Sequence, residues 1–179
     1  MSKGFSNNVS KVEIIDNFLT PLEFDNLKRD VLSEGFPWFF AAESVIGGGG
    51  PPQLAHVLYR DNQPQTPAID LFGSFLKKLS PVSLIRLKIN MTLPHPSAGM
   101  PYCFHHDLGV PDDPKMERTK HLRTGIYYLN STDGPTFVGE EKIECVENRF
   151  INFSHNIEHT GTTFTNDTRR VVLNVNYLP

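Results

Sequence analysis

Arg170-Val-Val-Leu-Asn-Val-Asn-Tyr177, close to the end of a 179-residue chain, is the stretch on which the fold turns. Successive side chains of an extended strand point to opposite faces. Val171, Leu173, Val175 and Tyr177 therefore form one apolar face fit to pack, while Arg170, Val172, Asn174 and Asn176 share the other. Two amides and a guanidinium on one face of a strand that must pack on the other predict that the polar face lines a site. The opposite choice, with Arg169 inward, would turn Val171, Leu173 and Val175 into that site. Parity favours Arg170, and leaves Arg169 outside as a solvated charge.

Working back from this strand, the runs Leu84 to Leu93, Leu122 to Leu129, Thr136 to Val138, Lys142 to Val146 and Arg149 to Phe153 are also short and rich in β-branched or aromatic residues. Pro, Gly, Asn and Asp separate them. Many brief strands punctuated in this way predict an antiparallel sandwich or barrel.

The front of the chain reads differently. A short strand is expected around Val12 to Ile15, and then Thr20-Pro21-Leu22-Glu23 combines a capping-box pair with a proline at the first helical position. Phe24, Leu27, Val31 and Leu32 follow at helical spacing, with Gly35 placed to end the helix. A second helix is predicted from Thr66-Pro67, burying Ile69, Phe72, Phe75, Leu76 and Leu79. Between them, Gly47 to Gly50 and Pro51-Pro52 predict a loop, either a plain connector or a lid. It is not a phosphate loop, because no Lys-Ser/Thr follows and prolines stand where a helix should begin. The Phe36-Pro-Trp-Phe-Phe40 cluster reads as core, as a lid under the second helix, or as an aromatic wall for a substrate.

The expectation is one domain over 1–179, with 1–82 as helical support and loop and 83–179 as the β core. Its class is α+β, mainly β. The composition is 39% hydrophobic, 11% aromatic and 21% charged, enough apolar side chain for a core and too little charge for disorder. Seventeen basic against 20 acidic side chains leave a net charge of -3, which argues against nucleic acid as a partner. Cys103 and Cys145 allow at most one disulfide, and no CxxC pair suggests a zinc knuckle. The first residues lack the apolar stretch of a secretion signal, and nowhere do ~18 apolar residues run on uninterrupted. A cytoplasmic protein without a membrane span is expected.

Seven histidines occur, two of them in Phe104-His105-His106-Asp107 and two in Ser154-His155-Asn156-Ile157-Glu158-His159. In the first, His105 and Asp107 are spaced i and i+2, so on a strand both would face one cation. The isolated triplet is a weak signal, and His106 with Asp107 could equally be a surface ion pair. A distal imidazole strengthens it. Two imidazoles and a carboxylate make the facial set that leaves open positions on non-heme iron(II). His159 is the preferred third ligand; His155 is the alternative, or else a histidine of the pocket rim. Arg170 nearby suits a dicarboxylate co-substrate, which a planar guanidinium can hold through two parallel bonds. His56, His95 and His121 read as surface or hydrogen-bonded residues, and Tyr127, opposite in parity to Tyr128, as structural.

His105-x-Asp107, Gly125-Ile-Tyr-Tyr-Leu-Asn130, Asn148-Arg-Phe-Ile-Asn-Phe153 leading to His159, and the Arg170 strand occur in an order that resembles the iron(II)- and 2-oxoglutarate-dependent dioxygenases, nearest to their prolyl-hydroxylase-like branch. The resemblance runs from about Arg86 to the C-terminus, and Val12-Glu-Ile-Ile-Asp-Asn-Phe-Leu-Thr-Pro21 resembles the opening of such enzymes. It implies a double-stranded β-helix, that is, a jelly roll of the cupin type, with N-terminal helices in support. It implies that His105, Asp107 and His159 hold Fe(II), that Arg170 grips the distal carboxylate of 2-oxoglutarate and that Tyr128 hydrogen-bonds the same carboxylate. Asn174 joins the co-substrate site by parity. The reaction implied uses O2, with ascorbate as a further cofactor. It hydroxylates an unactivated C–H bond of a small molecule, or of a prolyl or other peptidyl residue, and releases succinate and CO2. The chain departs from the pattern twice: Gly134-Pro-Thr136 stands where Gly-Gly-x-Thr is common, and Val172 where some branches have Ser or Thr. A cupin-like metal hydrolase and a non-catalytic β-barrel binding module are the competing readings; the first needs a general base and has no use for Arg170, the second has no use for co-substrate contacts.

Overall fold

A computed structural model describes residues 12–44, 50–108 and 121–179. In chain order its elements are β1 (Glu13–Ile15), α1 (Pro21–Val31), β2 (Phe39–Ala41), β3 (Gln53–Arg60), β4 (Gln63–Pro64), a 3-10 turn (Pro67–Phe72), α2 (Gly73–Leu79), β5 (Ser83–Thr92), β6 (Arg123–Tyr128), β7 (Thr132–Val138), β8 (Glu141–Cys145), β9 (Phe150–Ser154), β10 (His159–Gly161) and β11 (Arg170–Leu178). One antiparallel sheet runs β1-β9-β6-β11-β5-β3-β2, with β4 added on β3, and a second runs β10-β7-β8. This is the mainly β, double-stranded β-helix arrangement expected from the motifs.

Strand parity builds two cores. On one face of the large sheet, Leu87, Ile89 and Met91 of β5, Tyr127 of β6 and Val171, Leu173, Val175 and Tyr177 of β11 meet Phe24, Leu27 and Val31 of α1, Phe72 just before α2 and Phe75 within it. On the other face, Ile126, Tyr128, Ile151, Phe153 and Val172 meet Val138, Ile143 and Cys145 of the small sheet. Phe72 and Phe75 are fully buried, and each contributes roughly 1.5–3 kcal/mol by leaving water. The helices thus brace the back of the sheet whose front carries the polar face of β11.

The predicted capping box is present: the Glu23 amide donates to Thr20 Oγ1, and Thr20 N–H donates to Glu23 Oε2 at 3.1 Å. α1 ends before Gly35, with Leu32 as its cap and its N–H on the Lys28 carbonyl. The second helix is divided, a 3-10 turn up to Phe72 and α-helix from Gly73. Ile69, Leu76 and Leu79 pack against the core only in part.

Residues 1–82 are more than helical support, because they supply three further strands. β3 lies between β5 and β2, an interior position. Its sequence, Gln-Leu-Ala-His-Val-Leu-Tyr-Arg, follows two prolines and contains a single β-branched residue, so it carries little strand signal of its own. Pairing with β5 decides it. Gly47 to Gly49, the heart of the suggested lid, lie outside the described residues. No helix among the described residues is long and apolar enough to cross a membrane.

Candidate metal centre

His105, Asp107 and His159 come together, with one ligand atom of each within 4.8 Å of the others. The cause is tertiary pairing rather than the i, i+2 geometry of a strand. His105 forms a single antiparallel bridge with His159, and Asp107 lies beyond it in a turn. The His105 amide donates to the His159 carbonyl and the His159 amide to the His105 carbonyl, both at 3.1 Å. This places the imidazole centroids 4.5 Å apart. Asp107 closes the group, Oδ1 lying 3.8 Å from His105 Nε2 and Oδ2 3.9 Å from His159 Nε2.

Two of the three groups, His105 and Asp107, are held from behind. His105 Nδ1 donates to the Cys103 carbonyl at 3.0 Å, which turns Nε2 toward the centre. Asn176 donates from Nδ2 to Asp107 Oδ2 at 2.9 Å, and Arg86 donates from Nη1 to Oδ1 at 3.2 Å. Burial alone would raise the Asp107 carboxyl, but His159, Arg86, the Asn176 bond and His105 together hold it well below the usual carboxylate range. Burial pushes the His159 imidazole down to about 4, against the pull of Asp107, so the ring is neutral at pH 7. An ionised carboxylate and a neutral His159 imidazole are the protonation states that metal ligation requires of those two groups. Two imidazoles and a carboxylate are also the donor set that suits iron(II) with positions to spare.

A cavity of about 80 Å³ adjoins these groups, lined by His105 and His159 together with Arg170, Thr136, Tyr102 and Asn174. Arg170 is buried, 4% exposed. Nη2 donates to Thr136 Oγ1 at 2.8 Å, the guanidinium lies 5.7 Å over the Tyr128 ring, and Nε has no partner. Among the described residues no carboxylate comes within 4 Å of it. A buried cation without a counter-ion is costly unless a ligand supplies the anion. Gly161 gives it room, since a Cβ there would stand 3.0 Å from Arg170 Nη1. The residues present therefore fit both a 2-His-1-carboxylate metal and a dicarboxylate beside it.

The preference for Arg170 over Arg169 matches the geometry: Arg170, Val172 and Asn174 line the cavity, and Asn176 holds Asp107. Arg169 is half-buried and donates to the Leu32 carbonyl, so it is not simply a solvated charge. Tyr128 differs from expectation. Its hydroxyl donates to Thr136 Oγ1 at 2.8 Å, which puts it behind Thr136 rather than on the cavity wall. The hydroxyl beside Arg170 is that of Thr136, which sequence reasoning missed. Its signal was there in Gly134-Pro-Thr136. Gly134 lies so close to the Thr163 carbonyl that a Cβ would come within 2.8 Å, and Pro135 sits in the interval where the β7–β8 register shifts, an accepted place for proline.

The other histidines are partly reassigned. His155 is fully buried, not at the rim, and is outside the metal-ligand group. His106 has Nε2 3.1 Å from the Asn156 carbonyl and Nδ1 3.9 Å from Glu158, so the suggested pair with Asp107 does not form. His95 and His121 are exposed, but His56 is buried against Phe36 and Phe39. The aromatic cluster divides: Phe36 is core, with Trp38 packed on it, whereas Phe39 and Phe40 are 59% and 74% exposed. Tyr127 is structural, donating to Asn148 Oδ1 within the helix-side core.

No protein-family model matches the sequence, and no curated protein matches it. Solved structures do match in fold. The non-heme α-ketoglutarate-dependent epimerase SnoN from nogalamycin biosynthesis superposes with a TM-score of 0.62 at 15% identity, over 94% of this chain and 77% of that one. That epimerase has also been solved in complex with Fe3+, α-ketoglutarate and nogalamycin RO. A prolyl-4-hydroxylase from Pseudomonas putida gives 0.58 at 15% identity, covering 95% of this chain and 93% of the other. A prolyl hydroxylase from Trichoplax adhaerens, in complex with a hypoxia inducible factor peptide fragment, gives 0.59 at 15%, covering 96% and 84%. The chain has the double-stranded β-helix fold of the 2-oxoglutarate- and iron-dependent oxygenases.

Proposed function

We propose that this chain is an Fe(II)- and 2-oxoglutarate-dependent oxygenase that hydroxylates an unactivated C–H bond. The observation that carries the reading is the buried Arg170 guanidinium, without a carboxylate partner among the described residues, which opens on the same cavity as His105 and His159. A metal hydrolase would gain nothing from it.

In this reading His105, Asp107 and His159 hold the metal on one face, and Arg170 with Thr136 fixes the distal carboxylate of 2-oxoglutarate. Bound iron with 2-oxoglutarate supplies oxygen activation, the co-substrate leaving as succinate and CO2. The chain's own residues orient and exclude. Asn176 and Arg86 keep Asp107 turned inward, and the Cys103 carbonyl fixes the orientation of the His105 ring through Nδ1. Ile126 and Val172 give the cavity an apolar wall that limits water. Asn174, on the same wall, is a contact for the co-substrate.

The fold does not choose the substrate, since structures that share it are solved in complex with nogalamycin RO in one case and with a hypoxia inducible factor peptide fragment in another. The test is anaerobic addition of Fe(II) and then 2-oxoglutarate to the purified protein. The expected result is a weak visible charge-transfer band, followed by succinate release when air is admitted with a substrate drawn from prolyl peptides and free amino acids. Absence of the band at saturating Fe(II) and 2-oxoglutarate would overturn the assignment.

A further inference from the structure

A second and larger concavity, about 520 Å³, lies along β2 and β3 at the edge of the large sheet, with Lys88 of β5 in its lining. Phe39 and Phe40 of β2, Pro37 and Val57 give it an apolar lining, and Lys88 of β5 adds a cation. Its volume is in the range of small-molecule sites, roughly 300–1,000 Å³. Register ties the two cavities together: Lys88 is opposite Asn174 of β11 on one side and Val57 of β3 on the other. Asn174 lines the inner cavity and Val57 the outer one, so Lys88 stands where they adjoin.

Two features call for a ligand. Phe39 and Phe40 keep large apolar surface in water, and Lys88 is half-buried without a carboxylate within 4 Å among the described residues. The neighbouring cation, Arg86, is already taken by Asp107 and Asn176. Glu43 also borders the groove and makes an interaction of its own. Burial and Arg86 push the Lys88 ammonium down to about 8 while Asp107 pulls it back up, so most of it is charged at neutral pH. An apolar trough with one unmatched positive charge at its inner end is complementary to an apolar body that ends in an anion.

We propose that this groove receives the substrate, and that the substrate is a small apolar or aromatic carboxylate whose anionic group pairs with Lys88. Only the word substrate rests on the oxygenase reading; the binding site stands on the groove itself.

The test is calorimetric titration of metal-free protein with 3-phenylpropionate, 4-phenylbutyrate and N-acetylphenylalanine, each beside its neutral primary amide. The acids should bind about tenfold or more tightly than the amides, the margin expected of a charge-assisted contact. Lys88→Met should erase that preference while leaving weak binding of both forms, Lys88→Arg should keep it, and Phe40→Ser should weaken acid and amide alike. Arg170→Met should leave acid binding unchanged, which separates this site from the 2-oxoglutarate site and keeps a failure of either assignment distinct. Equal affinity of acids and amides, a preference that survives Lys88→Met or is lost in Arg170→Met, or no binding by any acid would overturn the proposal.

Discussion

Replacing Arg170 by Met separates a ligand-binding role from a structural one. The guanidinium is 4% exposed, makes one hydrogen bond, to Thr136, and has no anion among the described residues. Breaking a buried ion pair typically costs about 3–5 kcal/mol, because a partner charge is stranded. Here none is stranded, so metal-free Arg170→Met should unfold within about 1 kcal/mol of wild type or above it. Binding should respond in the opposite way. A 2-oxoglutarate carboxylate left buried and unpaired costs roughly 2–5 kcal/mol, a loss of about thirtyfold to a few thousandfold in affinity. The assay is thermal unfolding of Mn(II)-loaded protein with and without 2-oxoglutarate. At a hundred times the wild-type dissociation constant the ligand stabilises wild type by about 2.7 kcal/mol, or roughly 5–11 °C in a domain of this size. A thirtyfold weaker variant gains about 0.9 kcal/mol, or roughly 2–3.5 °C. A variant 3–5 kcal/mol less stable without ligand, or one that keeps the full shift, would refute the reasoning.

Three further outcomes are expected. His159→Ala should lose most of the Fe(II) affinity measured anaerobically, whereas His155→Ala, though it opens a space at a fully buried position, should keep it in whatever protein folds; the reverse pattern would identify His155 as the ligand. Lys88 has its ammonium pushed from 10.5 down to about 8, so between those values the unfolded chain holds a proton that the folded chain has released, and wild-type stability rises with pH across that window. Lys88→Met removes a penalty of about 1–2 kcal/mol, after allowance for partial exposure, so metal-free variant should be more stable than wild type at pH 7 and the gap should close toward pH 10.5 in urea titrations. Gly125→Ala would set a Cβ 2.5 Å from the Phe150 ring and 2.8 Å from Val175, and should cost about 1–3 kcal/mol in the same assay.

The chain carries in its sequence whatever depends on period and local chemistry. Alternation in Arg170 to Tyr177 decided which face of β11 packs and which is polar, since a one-residue shift would invert every side chain. Thr20-Pro21-Leu22-Glu23 decided where α1 begins, through bonds that span three residues. His105, Asp107, His159 and Arg170 could be singled out for the same reason, as residue types whose chemistry belongs together. Tertiary structure alone decided the rest. β3 has little propensity and becomes a strand because β5 and β2 flank it. His105 faces His159 through one backbone bridge across 54 positions of sequence, and no periodicity encodes a bridge of that reach. Thr136, not Tyr128, stands at the guanidinium, and Lys88 borders a groove whose other walls come from β2 and β3. Spacing along a chain fixes direction within one element; distance between elements is set by how their buried faces pack, and the site is made of such distances.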